Sequence, residues 1–462
     1  MSPASGIGSP RKSLHGQWSS RLAFILAVTG SAVGLGNVWR FPYIVGDNGG
    51  GAFVLVYLAC VLAIGLPLMM SEILIGRRGR RNPVMAMSLL AREEGSSRHW
   101  GLVGLMGVAA GFIILSFYSV IAGWSVAYVF ASGAGRFSGA DGAQIGALFE
   151  GLTGSWTTIG FWHTVFMIMT VVVVARGVEK GLERAVRILV PALVGIMLVL
   201  LIYAITSGGF GDGVRFLFQP DFSKLTGASV LVALGQAFFT LSLGMGAIMA
   251  YGAYLPEGTS IGSTAITVVI ADTAIAILAG LVIFPIVFAN GLDTAQGPGL
   301  IFLTLPLAFG NMTGGLFFGT LFFILLTFAA WTSAIGLIEP AVAWMVERIQ
   351  LTRAQAAVTA GGIIWLLGFA TVFSFNLLAD LQFGAGTVFD NADYLTNNLM
   401  LPLGGLFITL FAGWVLSARV TRDELALAGE GRYRLWRFLT RWVAPLAVVA
   451  VFLNAIGLLR LT

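Results

Sequence analysis

Oxygen-bearing side chains stand singly or in pairs within long apolar stretches of this 462-residue sequence, and their types suit a hard cation. Asp272 is a lone carboxylate in Ile270-Ala-Asp-Thr273. An unpaired charge in such a run is costly, so a bound cation or proton is its expected partner. Thr332 and Ser333 form a hydroxyl pair in Ala329-Ala-Trp-Thr-Ser333. Hydroxyls of this kind commonly bond back to the preceding helical turn; beside free backbone carbonyls they serve as sodium ligands. Tyr118, in Ser116-Phe-Tyr-Ser119, lies mid-stretch rather than at an interfacial belt, so its hydroxyl needs a partner. There is no P-loop Gly-Lys-Ser/Thr and no soluble domain to host one. No nucleophile and base converge on one place, so an enzyme is not expected. Uphill transport would have to draw on an ion gradient.

Two interrupted apolar segments would position these groups. Gly30-Ser-Ala-Val-Gly-Leu-Gly-Asn-Val-Trp-Arg-Phe-Pro42 lies inside the segment 18–43, which is long enough to cross a bilayer. Gly30, Gly34 and Gly36 lower helix propensity there, and Asn37 and Arg40 follow. An unwound turn at this depth frees carbonyls that lipid cannot satisfy, so it survives only where it lines a cavity and something polar binds. Gly30-x-x-x-Gly34 also reads as a surface for close helix packing; Asn37 and Arg40 favour the site. Free carbonyls near Gly30 and Val33 would complete a cation shell with Thr332 and Ser333. The second interruption is Gly235-Gln-Ala-Phe-Phe-Thr-Leu-Ser-Leu-Gly-Met-Gly246, where Thr240 and Ser242 meet Gly244 and Gly246.

Composition makes the chain an all-α polytopic membrane protein: 57% hydrophobic and 10% charged, where soluble proteins carry about 25% charged residues. The pattern predicts about eleven transmembrane helices, near 18–43, 51–76, 100–131, 159–175, 184–206, 228–254, 261–289, 315–346, 355–375, 393–417 and 438–459. The broken segments are the first and sixth. That spacing predicts two five-helix repeats, over 18–206 and 228–417, with an outer loop at 207–227. A cytoplasmic tail (1–17), a cytoplasmic loop (418–437) and a final span with a short outer C-terminus (438–462) complete the division. The tail is basic without an apolar core, so no cleaved leader is expected. Lys and Arg concentrate on the N-terminal side, from Arg11, Lys12 and Arg21 through Arg77–Arg81 to Arg441. The opposite side has Arg136, Arg215, Lys224 and Arg460, so the N-terminus is expected in the cytoplasm and the C-terminus outside. The net charge of +5 resides in these short loops, which argues against a nucleic-acid partner. Lone Cys60 excludes an internal disulfide, and His15, His99 and His163 are too scattered for a metal cluster. The outer stretch 290–314, with Gly291, Gly297, Pro298, Gly299 and Pro306, is expected to act as a lid or vestibule wall.

From Trp18 through the tenth span the sequence resembles the neurotransmitter:sodium symporter family, specifically its bacterial amino-acid transporters. The motifs are the 30–42 stretch, Asn48-Gly-Gly-Gly-Ala-Phe53, Gly235-Gln-Ala-Phe-Phe-Thr-Leu-Ser-Leu-Gly244 and Thr332-Ser333. The resemblance implies a LeuT-like fold of two inverted repeats, in a bacterial inner membrane, surrounded by lipid and without an obligatory protein partner. It implies two sodium ions. Ala32, Asn37, Thr240 and Asp272 match the first site, whose ion also touches the substrate carboxylate. Gly30, Val33, Ala329, Thr332 and Ser333 match the second. Asp272 departs from the amide usual there, and Ala276 at the aligned chloride position offers no hydroxyl. A fixed carboxylate would replace chloride, which is therefore not expected to be required. The substrate positions are Ala32, Gly34, Gly36, Ile114, Tyr118, Phe239, Thr240, Ser242, Met245, Ser333 and Leu337. Monoamine-transporting relatives place an aspartate at Gly34; glycine leaves room for an amino acid that brings its own carboxylate. The lining is apolar and uncharged, so a neutral hydrophobic or aromatic L-amino acid is expected.

The outer gate would pair Arg40 with Asp393, capped by Tyr118 and Phe239 and helped by Gln236. At the inner gate, Trp18 and Glu347 match, but His15 stands where the family has arginine; Arg11, Lys12 or protonated His15 would substitute. Gly181 and Pro191 match a motif associated with unwinding of the fifth span toward the second sodium, and Pro191 also reads as a simple kink. The expected function is sodium-coupled symport by alternating access. A proton-coupled carrier on the same fold, with Asp272 titrating, and a nontransporting amino-acid sensor are the rivals.

Overall fold

The structure is a computed structural model that describes residues 13–294, 299–455 and 458. Arg11, Lys12, Gly297, Pro298, Arg460 and the outer C-terminal end lie outside the described residues. Within them, nine helices are long and apolar enough to cross a membrane. They run Gly51–Gly79, Arg98–Gly133, Trp156–Ala175, Val178–Ile205, Ile261–Ala289, Gly315–Ile349, Arg353–Ser374, Val388–Val415 and Glu430–Asn454. A tenth is the pair Arg21–Ala32 and Gly36–Asp47, bent by 51°. The short helices Gly227–Thr240 and Ala247–Ala253 form the eleventh, with Leu241–Gly246 unwound between them. The two interruptions therefore fall in the first and sixth spans, in the arrangement of two inverted five-helix repeats.

Local chemistry sets each break. Ser20 caps the start of the first half-helix by accepting from Ala23 N. Val33 leaves helical angles at ψ 95°. In the sixth span Ser242, Gly244 and Gly246 all take positive φ, at 53°, 82° and 76°. Gly is the residue that does this without steric cost; Ser242 is held there by the bonds its hydroxyl makes, described below.

The connections expected to lie outside carry helices of their own among the described residues. Helices Gly142–Thr153, Phe210–Phe218 and Leu300–Asn311 occupy the three long outer stretches. Phe302 is buried against Trp124, Tyr128 and Trp39, with ring centroids 5.6, 5.2 and 6.4 Å away. Tyr128 OH donates to its carbonyl at 3.0 Å. The 299–311 part of the expected lid thus inserts over the third span. The fifth span is continuous through Gly181 and Pro191 and is not unwound in this structure.

The seven-residue second half of the sixth span is too short to hold itself as a helix. It is seated on the second span, where a Cβ added to Gly76 would come within 2.0 Å of Met249 O. Arg80 extends the support by donating to the carbonyls of Ala253 and Leu255. Gly76→Val is expected to destabilise the protein by at least the ~1–3 kcal/mol of ordinary overpacking. A thermal melt of the purified variant in detergent, with its midpoint several degrees below the parent's, checks this.

Candidate functional site

Between the two breaks lies a small cavity of about 20 Å³ lined by Ala32, Gly36, Ile114, Tyr118, Phe239, Ser242, Met245, Ser333 and Leu337. Every one was singled out in the sequence. Gly34 lies alongside: a Cβ there would meet Ser333 Oγ at 2.7 Å and Tyr118 OH at 2.8 Å. Gly36 faces Phe239, whose ring would be 2.9 Å from an added Cβ.

Side chains from neighbouring spans satisfy the backbone groups that the breaks release. Ser31 O accepts from Ser242 Oγ at 2.9 Å and Ser333 Oγ at 2.8 Å. Leu35 N donates to Tyr118 OH at 3.2 Å, and Gly34 N to Asn37 Oδ1 at 3.2 Å. Gln236 Nε2 donates to Gly36 O at 2.9 Å. Of the hydroxyl pair, Thr332 bonds back to Phe328 O and Ala329 O at 3.0 and 3.1 Å, whereas Ser333 reaches across to the first span. Gly30 abuts the same place, its virtual Cβ 3.3 Å from Thr332 Cβ and 2.9 Å from Val190 Cγ2. Val33 and Ala329 are buried beside it.

Asp272 is fully buried. Asn37 Nδ2 donates to its Oδ1 at 2.8 Å and to its carbonyl at 3.1 Å, and Thr240 Oγ1 donates to Oδ2 at 3.1 Å. Asn37, Thr240 and Asp272 thus converge, Asn37 turning its Nδ2 to the carboxylate while its Oδ1 accepts from Gly34 N; the hydroxyl and the carboxylate are hard oxygens with one charge. Among the described residues no cluster of three His, Cys, Asp or Glu side chains could hold a metal ion. The set fits an alkali cation better than a transition metal.

The two ends differ. At the inner end Trp18 is 2% exposed, packed edge-on to Tyr251 at 5.3 Å, and donates from Nε1 to Tyr251 O at 3.1 Å. His15 Nε2 lies 2.8 Å from Glu347 Oε1, and Glu347 also accepts from Asn82 N and Nδ2 at 2.8 and 2.9 Å. At the outer end Arg40 and Asp393 face each other electrostatically but form no ion pair among the described residues. The Arg40 guanidinium lies 4.5 Å from the centre of the Phe239 ring, and Asp393 accepts from Asn397 Nδ2 at 2.6 Å. Gln236 is likewise committed to Gly36 rather than to that pair.

Three carboxylates escaped the sequence analysis. Glu72, fully buried in the second span, accepts from Gly244 N at 2.7 Å and so anchors the second break. The argument made for Asp272, a lone acid in an apolar run, applied to it equally. Glu339 is fully buried and accepts from Tyr254 OH at 2.8 Å and from Arg353 Nη1 at 2.9 Å. Glu183 accepts from Ser19 N at 3.0 Å and from Arg187, tying the N-terminal segment to the fifth span. Gly244, Tyr254 and Ser19 are distant in sequence from the carboxylates they meet, so no local pattern announced those contacts; the Glu183–Arg187 pair, four residues apart, was the one a local pattern offered.

The sodium:neurotransmitter symporter family model matches residues 15–140 and 152–460. An uncharacterized sodium-dependent transporter of Bacillus subtilis, YhdH, is 39% identical over 454 residues, covering 96% of this chain and 98% of that protein. A second, from Haemophilus influenzae, is 34% identical over 444 residues, covering 95% and 97%. The crystal structure of MhsT in complex with L-phenylalanine superposes with a TM-score of 0.88 at 45% identity, covering 95% of this chain and 99% of that one. With a LeuT-like arrangement of helices and matches that span nearly its whole length, the chain belongs to the sodium:neurotransmitter symporter family, whose members are transporters and not enzymes.

Proposed function

We propose that this protein is a sodium-coupled symporter that imports a neutral, hydrophobic or aromatic L-amino acid by alternating access. The observation that carries the reading is the cavity between the two breaks, lined both by hydroxyls (Tyr118, Ser242, Ser333) and by apolar side chains (Ile114, Phe239, Met245, Leu337). Tyr118 OH, the N–H groups near Gly36 and a cation held by Asn37, Thr240 and Asp272 with the Ala32 carbonyl would receive the α-carboxylate. The Ser31 carbonyl, now shared by Ser242 and Ser333, would receive the α-amino group. Ile114, Phe239, Met245 and Leu337 would enclose the side chain, Met245 adapting to its shape. The relative crystallised with L-phenylalanine supports this substrate class.

Two sodium ions are cargo in this scheme. The first touches both Asp272 and the substrate carboxylate, so each ligand completes the other's shell and the coupling is reciprocal. The second would sit where Gly30, Val33 and Ala329 carbonyls meet Thr332 and Ser333, and would pin the first span to the eighth. Chloride is not required, because Asp272 supplies a fixed negative charge one turn before Ala276 on the same buried face. Arg40 and Asp393 would draw together on outer closure. Trp18, His15 and Glu347 seal the inner side, with the N-terminus in the cytoplasm and the C-terminus outside.

The deciding experiment is binding of radiolabelled L-amino acids, led by leucine, phenylalanine and tryptophan, to purified protein in sodium and in potassium. Binding is expected in sodium, chloride being dispensable. Equal binding in potassium would move the coupling to protons at Asp272. Asp272→Asn is expected to weaken sodium-dependent binding at least tenfold, on the order of 1.4 kcal/mol, and to make the remainder chloride-sensitive. Gly34→Ala is expected to abolish binding while the protein still folds, since its methyl would occupy the space of Ser333 Oγ and Tyr118 OH; scintillation proximity with a parallel thermal melt separates the two effects. His15→Arg is expected to tighten the inner seal through a fixed charge on Glu347 and to slow turnover several-fold, read as a lower uptake rate in proteoliposomes at unchanged sodium-dependent affinity.

A further inference from the structure

A second cavity shares no lining residue with the one between the two breaks. It has a volume of about 360 Å³ and is lined by Ser97, His99, Trp100, Leu102, Val103, Met106 and Phe407. It opens on the membrane-facing side, since Leu102, Leu105 and Phe407 are exposed. One wall is the start of the third span and the other is the tenth span, with Trp100 edge-on to Phe407 at 6.4 Å and close to Phe411 at 5.2 Å. The lining grades along the third span. Ser97 and His99 are at the mouth, and Val103 and Met106 lie about 3 and 8 Å of helical rise beyond Gly101. At the ~30 Å³ share of a water-sized group, the space admits about a dozen methylenes.

Charge at the mouth is also defined. Arg92, Arg98 and Arg419 are exposed near this end. Glu94 is already engaged, accepting from Ser417 N and Ser417 Oγ at 3.2 Å each, and so braces the two walls against each other. Glu93, in the same turn, is also exposed and adds a negative charge to that segment. A polar, cationic mouth above an apolar floor matches an amphiphile with an anionic head.

We propose that this groove binds an anionic phospholipid, one acyl chain lying along Val103, Met106 and Phe407 and the phosphate meeting Arg98 and His99. The lipid fills the seam between the third span, which carries Ile114 and Tyr118, and the tenth, which carries Asp393. It is a site for a structural lipid, separate from the transported amino acid, and its test involves no transport.

The full-length protein in detergent is supplied with equal phosphatidylglycerol and phosphatidylcholine bearing the same acyl chains, then diluted and examined by native mass spectrometry. Retained phosphatidylglycerol is expected, favoured about fivefold for each arginine at the mouth, together with a raised thermal midpoint. Val103→Trp, which fills the groove, is expected to lose the retained lipid and the thermal shift. Arg98→Glu is expected to keep a bound lipid but to reduce the headgroup preference at least about fivefold. Equal retention of both lipids by the parent protein overturns the proposal, as does retention unchanged in Val103→Trp. If Val103→Trp fails to fold, the selectivity of Arg98→Glu decides alone: preference unchanged from the parent rejects the site. Dimerisation through this face on lipid removal, blocked by Leu102→Glu, would assign the groove to a second copy of the chain instead.

Discussion

The structure depends on one constraint: backbone polar groups released by two broken helices must be satisfied where neither water nor lipid can do it. Each unmet group would cost about 1–3 kcal/mol. The chain meets the demand with side chains sent from five spans. Tyr118 comes from the third, Ser242 and Gln236 from the sixth, Ser333 from the eighth, Glu72 from the second, and Asn37 from the first itself. The broken helices cannot be formed separately and then assembled; they exist only because the other spans are in place. The same contacts confine the cavity, which is why it lies where the two breaks meet.

This arrangement leaves the Ser31 carbonyl bonded to two hydroxyls on different spans, Ser242 and Ser333. A carbonyl has two lone pairs, so both bonds are well made. An ammonium group in the proposed site would compete for the same oxygen and bring a charge-assisted bond in exchange. Glycine at 34 and 36 then matters for space rather than for φ, since neither takes a left-handed angle. Any side chain at 34 would collide with the two hydroxyls that organise the floor.

Much of this was legible in the sequence because the physics is local. Hydropathy fixed the spans, with 261–289 matching Ile261–Ala289. Glycine clusters marked both breaks, and the resemblance supplied the residues that come to line one cavity. What was not legible depends on distant pairing. Gln236 binds Gly36 only because the sixth span crosses the first, and Arg40 lies over Phe239 rather than pairing with Asp393 for the same reason. Glu339 finds Tyr254 and Arg353 across three segments, and Glu72 finds Gly244 across 172 positions. The helices inside the outer connections were also missed. They are short of the length that hydropathy detects; Gly142–Thr153 and Phe210–Phe218 also carry several glycines, and Leu300–Asn311 packs through Phe302 into an aromatic cluster.

The two ends of the pathway are built on different principles, and that difference bears on how the protein moves. The inner end is held by directional bonds among buried groups: Trp18 to Tyr251, His15 and Asn82 to Glu347, Tyr254 and Arg353 to Glu339. An opening of this end would have to break several of these bonds. The outer end is held by a cation over an aromatic ring and by a carboxylate bound to a local amide. Such contacts are individually weak and can be exchanged one at a time. An ion bound at Thr332 and Gly30 would brace the first span against the eighth, adding to the inner bonds without touching the outer ones. Losing that ion would remove the brace from the side where bonds are strongest, so ion occupancy, rather than substrate alone, would set when the inner network can give way.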